Sequence, residues 1–192
     1  SPCPVVYCLV ADRSLNMIHM YHFQEAAQNP GLVPGRRRRA QSRMSTPQFI
    51  LSIDLGTGGP KVALVAADGE IAASALRPVT TNFLGPDAAE QDPEEIWNAI
   101  LSAMKQVLAE AKVPTATILG IACSSQYFSI VPIDEAGLPV GPMIPWMDGR
   151  GASHASALYQ AHPTLGTKWI ERTGMPPLPS GNDSLSHMLF LK

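Results

Sequence analysis

Asp54, Gly56, Thr57, Gly58, Gly59 and Lys61 fall within one short stretch and form a set that could hold phosphate. Apolar runs lead into and out of them, in FILSI before Asp54 and VALV after Lys61, so the stretch reads as two strands joined by a glycine-rich tip. Glycine lets an anion approach backbone N–H groups with no Cβ in the way. Asp54, at the end of its strand, offers a carboxylate to a hydrated Mg²⁺, an ion that takes one or two carboxylates together with phosphate oxygens. Thr57 adds a hydroxyl and Lys61 a cation. Asp and Gly are also the usual turn formers, so a plain hairpin turn accounts for the same residues. Two other phosphate grips are excluded. No Gly-Lys-Ser or Gly-Lys-Thr opens a helix here, and the glycine spacing does not fit the dinucleotide fingerprint.

The elements that must position this tip can be read around it. Asp68-Gly69 is a hairpin turn, and Ile71–Leu76 supplies a third strand, giving a three-stranded antiparallel meander. Residues 78–91 read as loop. Asp92-Pro93-Glu94-Glu95 then predicts a helix start, with Asp92 as N-cap, Pro93 at the first helical position and Glu95 completing a capping box. The apolar set Ile96, Trp97, Ile100, Leu101, Met104, Val107, Leu108 and Ala111 falls on one helical face, and Pro114 closes the helix. Ile118–Cys123 reads as a buried strand and Ile130–Ile133 as another, turning at Asp134–Gly137. Residues 138–146 are extended, and helices are expected over 151–162, 165–173 and 184–191. Three antiparallel strands, a helix and a further strand are the order of the ribonuclease H-like half of the actin and sugar-kinase superfold. The same order also suits other α/β layers and decides no function; the expected fold is α/β, a ribonuclease H-like N-terminal lobe with a mixed sheet flanked by helices.

With 192 residues and 45% hydrophobic content the chain can bury one proper core. Its net charge of −2 is unevenly shared. Residues 1–43 carry six arginines against Asp12 and Glu25, a net of +4, whereas residues 44–192 carry eight Lys or Arg against fourteen Asp or Glu, a net of −6. The acidic body makes nucleic acid a poor ligand for it. The shift, together with the Arg36–Arg39 run and Met44-Ser45-Thr46, marks a boundary. Residues 1–45 are expected to be a disordered leader or non-native upstream sequence, with Val5–Val10 at most an isolated strand, and 46–192 the folded domain. Cys3, Cys8 and Cys123 form no CxxC pair, which suits a reducing compartment. No apolar run approaches membrane-spanning length, so a soluble, cytoplasmic protein without a membrane partner is expected. His154, His162 and His187 lack partner spacing and read as surface or packing residues.

Several ordered segments resemble the N-terminal domain of the FGGY carbohydrate kinases, in particular xylulokinase-like members. Asp54-Leu55-Gly56-Thr57 with Lys61 looks like the family's first phosphate motif, and Glu90–Trp97 is similar to the start of its first long helix. Gly120-Ile121-Ala122 running to Gln126 looks like the strand that delivers substrate-side residues. Pro145-Trp146-Met147-Asp148-Gly149-Arg150 resembles the Trp-x-Asp-x-Arg stretch near the sugar. Glu171–Gly174 and Leu189–Lys192 also fit, so the likeness runs from about Phe49 to Lys192.

The resemblance implies ATP-dependent phosphorylation of a ketose or polyol hydroxyl, with ATP, Mg²⁺ and a small sugar as the partners and a homodimer as one assembly of the full-length protein. Asp54 would help hold Mg²⁺ through water, while Gly56, Thr57 and Lys61 would sit by the transferring phosphate. Gln126, Tyr127, Trp146, Asp148 and Arg150 would line the sugar pocket. Read without the family, Trp146 caps a core, Asp148 and Arg150 form a surface ion pair, and Gln126 satisfies a buried backbone group. Tyr127-Phe128 stands where xylulokinases often carry Met-His and glycerol kinases an Arg-Glu pair, so it departs from both, argues against glycerol and leaves the exact sugar open. A non-catalytic sugar or nucleotide sensor of the same superfold is the alternative. The family's general base lies in the opening motif of a second lobe. Residues 1–192 alone are therefore expected to give no ATP- and sugar-dependent ADP release above an Asp54→Ala control.

Overall fold

The computed structural model describes residues 7–11, 18–22 and 47–192. In chain order its strands are β1 (Tyr7–Ala11), β2 (Ile18–His22), β3 (Phe49–Gly56), β4 (Gly59–Ala66), β5 (Ile71–Leu76), β6 (Asn82–Gly85), β7 (Ala88–Glu90) and β8 (Ile118–Ser124). The helices are α1 (Pro93–Ala111), α2 (Ala152–Ala161), α3 (Leu165–Thr173) and α4 (Ser184–Leu191). β1 pairs antiparallel with β2, so the strand expected near Val5–Val10 is not isolated. The rest of the expected leader lies outside the described residues. No described helix is long and apolar enough to cross a membrane.

The described residues divide into two compact units. The first gathers residues up to Asp54 with Val62–Ala75 and Met104–Ser124, and the second gathers Leu55–Lys61, Leu76–Ala103 and Ser125–Lys192.

A four-stranded sheet in the order β5-β4-β3-β8 organises the first unit. Two-residue connections force β3 and β4 to run antiparallel, whereas β8 returns parallel to β3, so the sheet is mixed as expected. Period-2 alternation buries Phe49, Leu51 and Ile53 of β3, Val62 and Leu64 of β4, and Ala73 and Ala75 of β5 on the core side. Val107 of α1 is fully buried in the same unit. β8 departs from the predicted buried strand, because Leu119 and Ile121 are 60% and 50% exposed. Its own alternation puts those two side chains on the solvent side.

In the second unit, residues 78–91 are not all loop, since β6 and β7 pair as a short hairpin. The helix start holds as predicted: Asp92 accepts from the Glu94 N–H at 2.9 Å, and Pro93 opens α1. The capping box is not completed. Glu95 instead accepts from both the N–H and the hydroxyl of Thr80, so the carboxylate is spent on the preceding loop. Trp97 also leaves the predicted apolar face and is 55% exposed. Ile130–Ile133 is not a continuous strand. It makes single bridges, Ile130 to Ile144 and Ile133 to Pro139, around the predicted turn, where Asp134 accepts from the N–H groups of Ala136 and Leu138. α4 is capped by Asp183, whose carboxylate accepts from Leu185 and Ser186 N–H groups.

Candidate active site

Two residues, Thr57 and Gly58, connect β3 to β4. Their carbonyls are tied into the second unit: the Gln91 side chain donates to Thr57 O at 2.7 Å and the Val79 N–H to Gly58 O at 3.2 Å. C=O and the following N–H of a planar trans peptide point opposite ways. Holding the Thr57 carbonyl on Gln91 therefore turns the Gly58 N–H away from it. Gly59 (φ 132°) admits no side chain, because a Cβ there would stand 1.8 Å from Arg77 O. Lys61 is exposed on β4.

Gln91 starts a ring of side-chain contacts. It is 1% exposed, and its backbone exchanges two hydrogen bonds with Met143. Its Nε2 also donates to the Thr81 hydroxyl at 2.8 Å, and its Oε1 accepts from Gln126 Nε2 at 2.9 Å. Ser129 donates to Gln126 Oε1 at 3.1 Å and accepts from the Trp146 N–H at 3.1 Å. The Trp146 indole N–H closes the ring on the Thr57 hydroxyl at 3.0 Å. The Ile130–Ile144 bridge keeps the segments carrying Ser129 and Trp146 side by side. Trp146 remains 45% exposed, so its ring is not the core cap that an aromatic could have been.

Asp148 is fully buried. Its oxygens accept from the N–H groups of Ala89 and Arg150 and from Arg150 Nε at 2.8 Å. Arg150 also pairs with Glu90 at 2.8 Å and lies 4.8 Å from the Phe190 ring centroid. The Asp148–Arg150 pair is thus buried at its acidic end, unlike an ordinary surface ion pair. His187, wholly buried, donates from Nε2 to Asp148 O at 2.8 Å, and its Nδ1 stands 3.3 Å from Phe128 O. Phe128 has φ 57°, a conformation bulky residues rarely adopt. Tyr127 is exposed, stacks at a tilt on Phe128 with centroids 3.8 Å apart, and gives its hydroxyl to Met175 Sδ.

Within the first unit, Asp54 is exposed at the end of β3, opposite Ser124 in the parallel register, and accepts from the Ser124 hydroxyl at 2.6 Å. Burial first, and the Asp54 carboxylate second, push the Cys123 thiol above its ordinary range. It therefore stays protonated and is no nucleophile at neutral pH. Among the described residues no group of three or more His, Cys, Asp or Glu could cage a metal. One exposed carboxylate nevertheless fits Mg²⁺, which keeps water and phosphate as most of its ligands.

The profile of the FGGY family of carbohydrate kinases, N-terminal domain, matches residues 49–184, well over half of the chain. The chain belongs to that family. It is 34% identical over 129 residues to a glycerol kinase of Citrifermentans bemidjiense, covering 67% of this chain and 26% of that protein. It is 35% identical over 108 residues to the xylulose kinase of Escherichia coli K12, covering 56% and 22%. The fold is that of a gluconate kinase from Lactobacillus acidophilus, with TM-score 0.64 and 23% identity over 76% of this chain and 28% of that one. The expected α/β superfold lobe is therefore the observed one. The chain spans about a quarter of the length of the curated relatives it matches.

For this FGGY kinase domain, the structure joins Thr57, Gln126 and Trp146 in one network and Asp148 with Arg150 in another. Tyr127 turns to Met175 and is not a member of the ring described. Local pattern gives no role to Gln91, Ser124, Ser129 or Glu90, and leaves His187 as a surface or packing residue. Glu90 and Gln91 precede a helix cap, and nothing local marks them as partners of residues 34 to 60 positions away.

Proposed function

We propose that this chain is the sugar- and phosphate-side portion of an ATP-dependent carbohydrate kinase acting on a xylulose-like ketose or polyol hydroxyl. The observation that carries the reading is the closed ring from Thr57 through Gln91, Gln126, Ser129 and Trp146. It makes one rigid piece of the glycine tip and the wall that follows β8. Phosphoryl transfer is dominated by positioning and charge neutralisation, and a shared frame serves both.

In this reading Gly56 and Thr57 offer tip backbone and hydroxyl, and Lys61 a cation, to the γ-phosphoryl group of ATP. Asp54 would hold Mg²⁺ through water, and the ion when bound would supply neutralisation of phosphate charge. Gln126, Tyr127 and Trp146 form the sugar side. Asp148 and Arg150 act from behind it, because the carboxylate is fully buried and takes three protein donors. The sugar hydroxyl oxygen bonds to the γ-phosphorus as the bond to the β-phosphate oxygen breaks, giving the sugar phosphate, ADP and the proton released from that hydroxyl.

The test is ADP release by the intact protein with ATP, Mg²⁺ and a panel of ketoses, polyols and glycerol. A five-carbon ketose or polyol is expected to outpace glycerol by about tenfold or more, the discrimination that one or two added hydroxyl contacts supply. Glycerol as best acceptor would remove the xylulose-like assignment. Sugar binding without turnover by any acceptor would leave the sensor reading in place of the kinase.

A further inference from the structure

The hydrogens of the two glutamine amides can be counted out. Gln91 Nε2 spends both of its N–H groups, on Thr57 O at 2.7 Å and the Thr81 hydroxyl at 2.8 Å. Its Oε1 therefore faces Gln126, and accepts from Nε2 of that residue at 2.9 Å. The second N–H of Gln126 reaches Gly56 O at 3.4 Å. Ser129 Oγ accepts from the Trp146 N–H, so its single hydrogen goes to Gln126 Oε1. An amide oxygen has two lone pairs, and Ser129 takes one. The capacity left on Gln126 is a single acceptor position. Gln91 itself cannot turn over, because it is 1% exposed, pinned by its backbone to Met143 and followed directly by the cap of α1.

We infer that Gln91 is a positioning residue that fixes the polarity of Gln126, so that Gln126 accepts from a substrate hydroxyl and cannot donate to a substrate carbonyl. This rests on the kinase reading above and deepens it, because it assigns Gln126 to a hydroxyl of the sugar and leaves a ketose carbonyl to other groups. The Gln91 amide oxygen is the part of the device that matters for polarity. Its two N–H groups serve to anchor it.

The experiment is a monodeoxy scan of whichever ketose or polyol gives the fastest ADP release with the intact protein. For wild type, one analogue is expected to lose about tenfold in kcat/KM relative to its parent, the scale of one lost hydrogen bond. In Gln91→Met the 2.9 Å acceptor is gone, only the long 3.4 Å contact to Gly56 O and a rotatable Ser129 hydroxyl still orient the Gln126 amide, and that ratio collapses to within about threefold, the scale of a lost preference. Gln91→Glu is the conservative rescue. Its carboxylate still accepts from Gln126 Nε2, so the ratio returns even though overall turnover falls with the lost anchors to Thr57 and Thr81. A purely structural Gln91 would lower all substrates alike and leave the ratio unmoved in both variants, which overturns the inference. So does a wild type that discriminates no deoxy analogue. Thermal melts report whether Gln91→Met folds. If it does not, Gln91→Glu must keep the ratio and Gln126→Met must lose it. A wild type that phosphorylates nothing defeats the kinase reading itself, and this inference with it. An active wild type with an unmoved ratio defeats the inference alone.

Discussion

Asp54→Asn in the intact protein is expected to cut kcat for sugar-dependent ADP release by about 100-fold or more, the usual cost of removing one group that stabilises transition-state charge. The amide still accepts from the Ser124 hydroxyl, now at 2.6 Å from Oδ1, so the substitution removes charge and little else. Asp54 is exposed at the end of β3, and the melting temperature should stay within a few degrees of wild type. The requirement for Mg²⁺ should rise in the variant, measured as the metal concentration giving half-maximal rate, while KM for the sugar moves little. Turnover near the wild-type level would show that the Asp54 carboxylate serves the hairpin only as a turn residue, and the phosphate assignment would fall with it.

Asp148→Ala carries the largest expected effect on stability, a loss of about 3–5 kcal/mol, as when one partner of a buried ion pair is removed. The mechanism is specific. Ala89 and Arg150 lose the acceptor for their backbone N–H groups, and Arg150 keeps its charge in a half-buried place with Glu90 as the remaining ion-pair partner. Urea unfolding of the intact chain would read it as a lowered midpoint with an unchanged slope. A double substitution, Asp148→Ala with Arg150→Met, should be less damaging than the sum of its parts, since methionine asks for no counter-charge. A loss under about 1 kcal/mol for Asp148→Ala would fit an ordinary surface pair and would contradict a carboxylate buried to 0% exposure.

Much of the frame around the candidate site is legible in the sequence because it is set within a few residues. The Gly-rich tip, the Asp92 cap before Pro93, the Asp134 turn and the three short helices follow from local backbone preference and local hydrogen bonds. The places where that reading failed are also physical. Glu95 has the right spacing for a capping box, yet Thr80 offered its carboxylate two donors from outside the helix. Trp97 keeps the helical period of its apolar neighbours, but no period states how wide the covered stripe will be.

The partners that make a site were decided only by the tertiary structure. Ser124 meets Asp54 across 70 residues because β8 comes back parallel to β3, and no local signal fixes a parallel register. Gln91 and His187 looked unremarkable in the chain. They matter because both are fully enclosed, where an amide or imidazole must find partners or lose the hydrogen bonds it had in water. What the sequence determined by itself was the family, the Gly-rich tip between β3 and β4 and the cap that opens α1. Which side chains are enclosed, and which distant partners hold them, came from burial and long-range pairing, and those are properties of the folded chain alone.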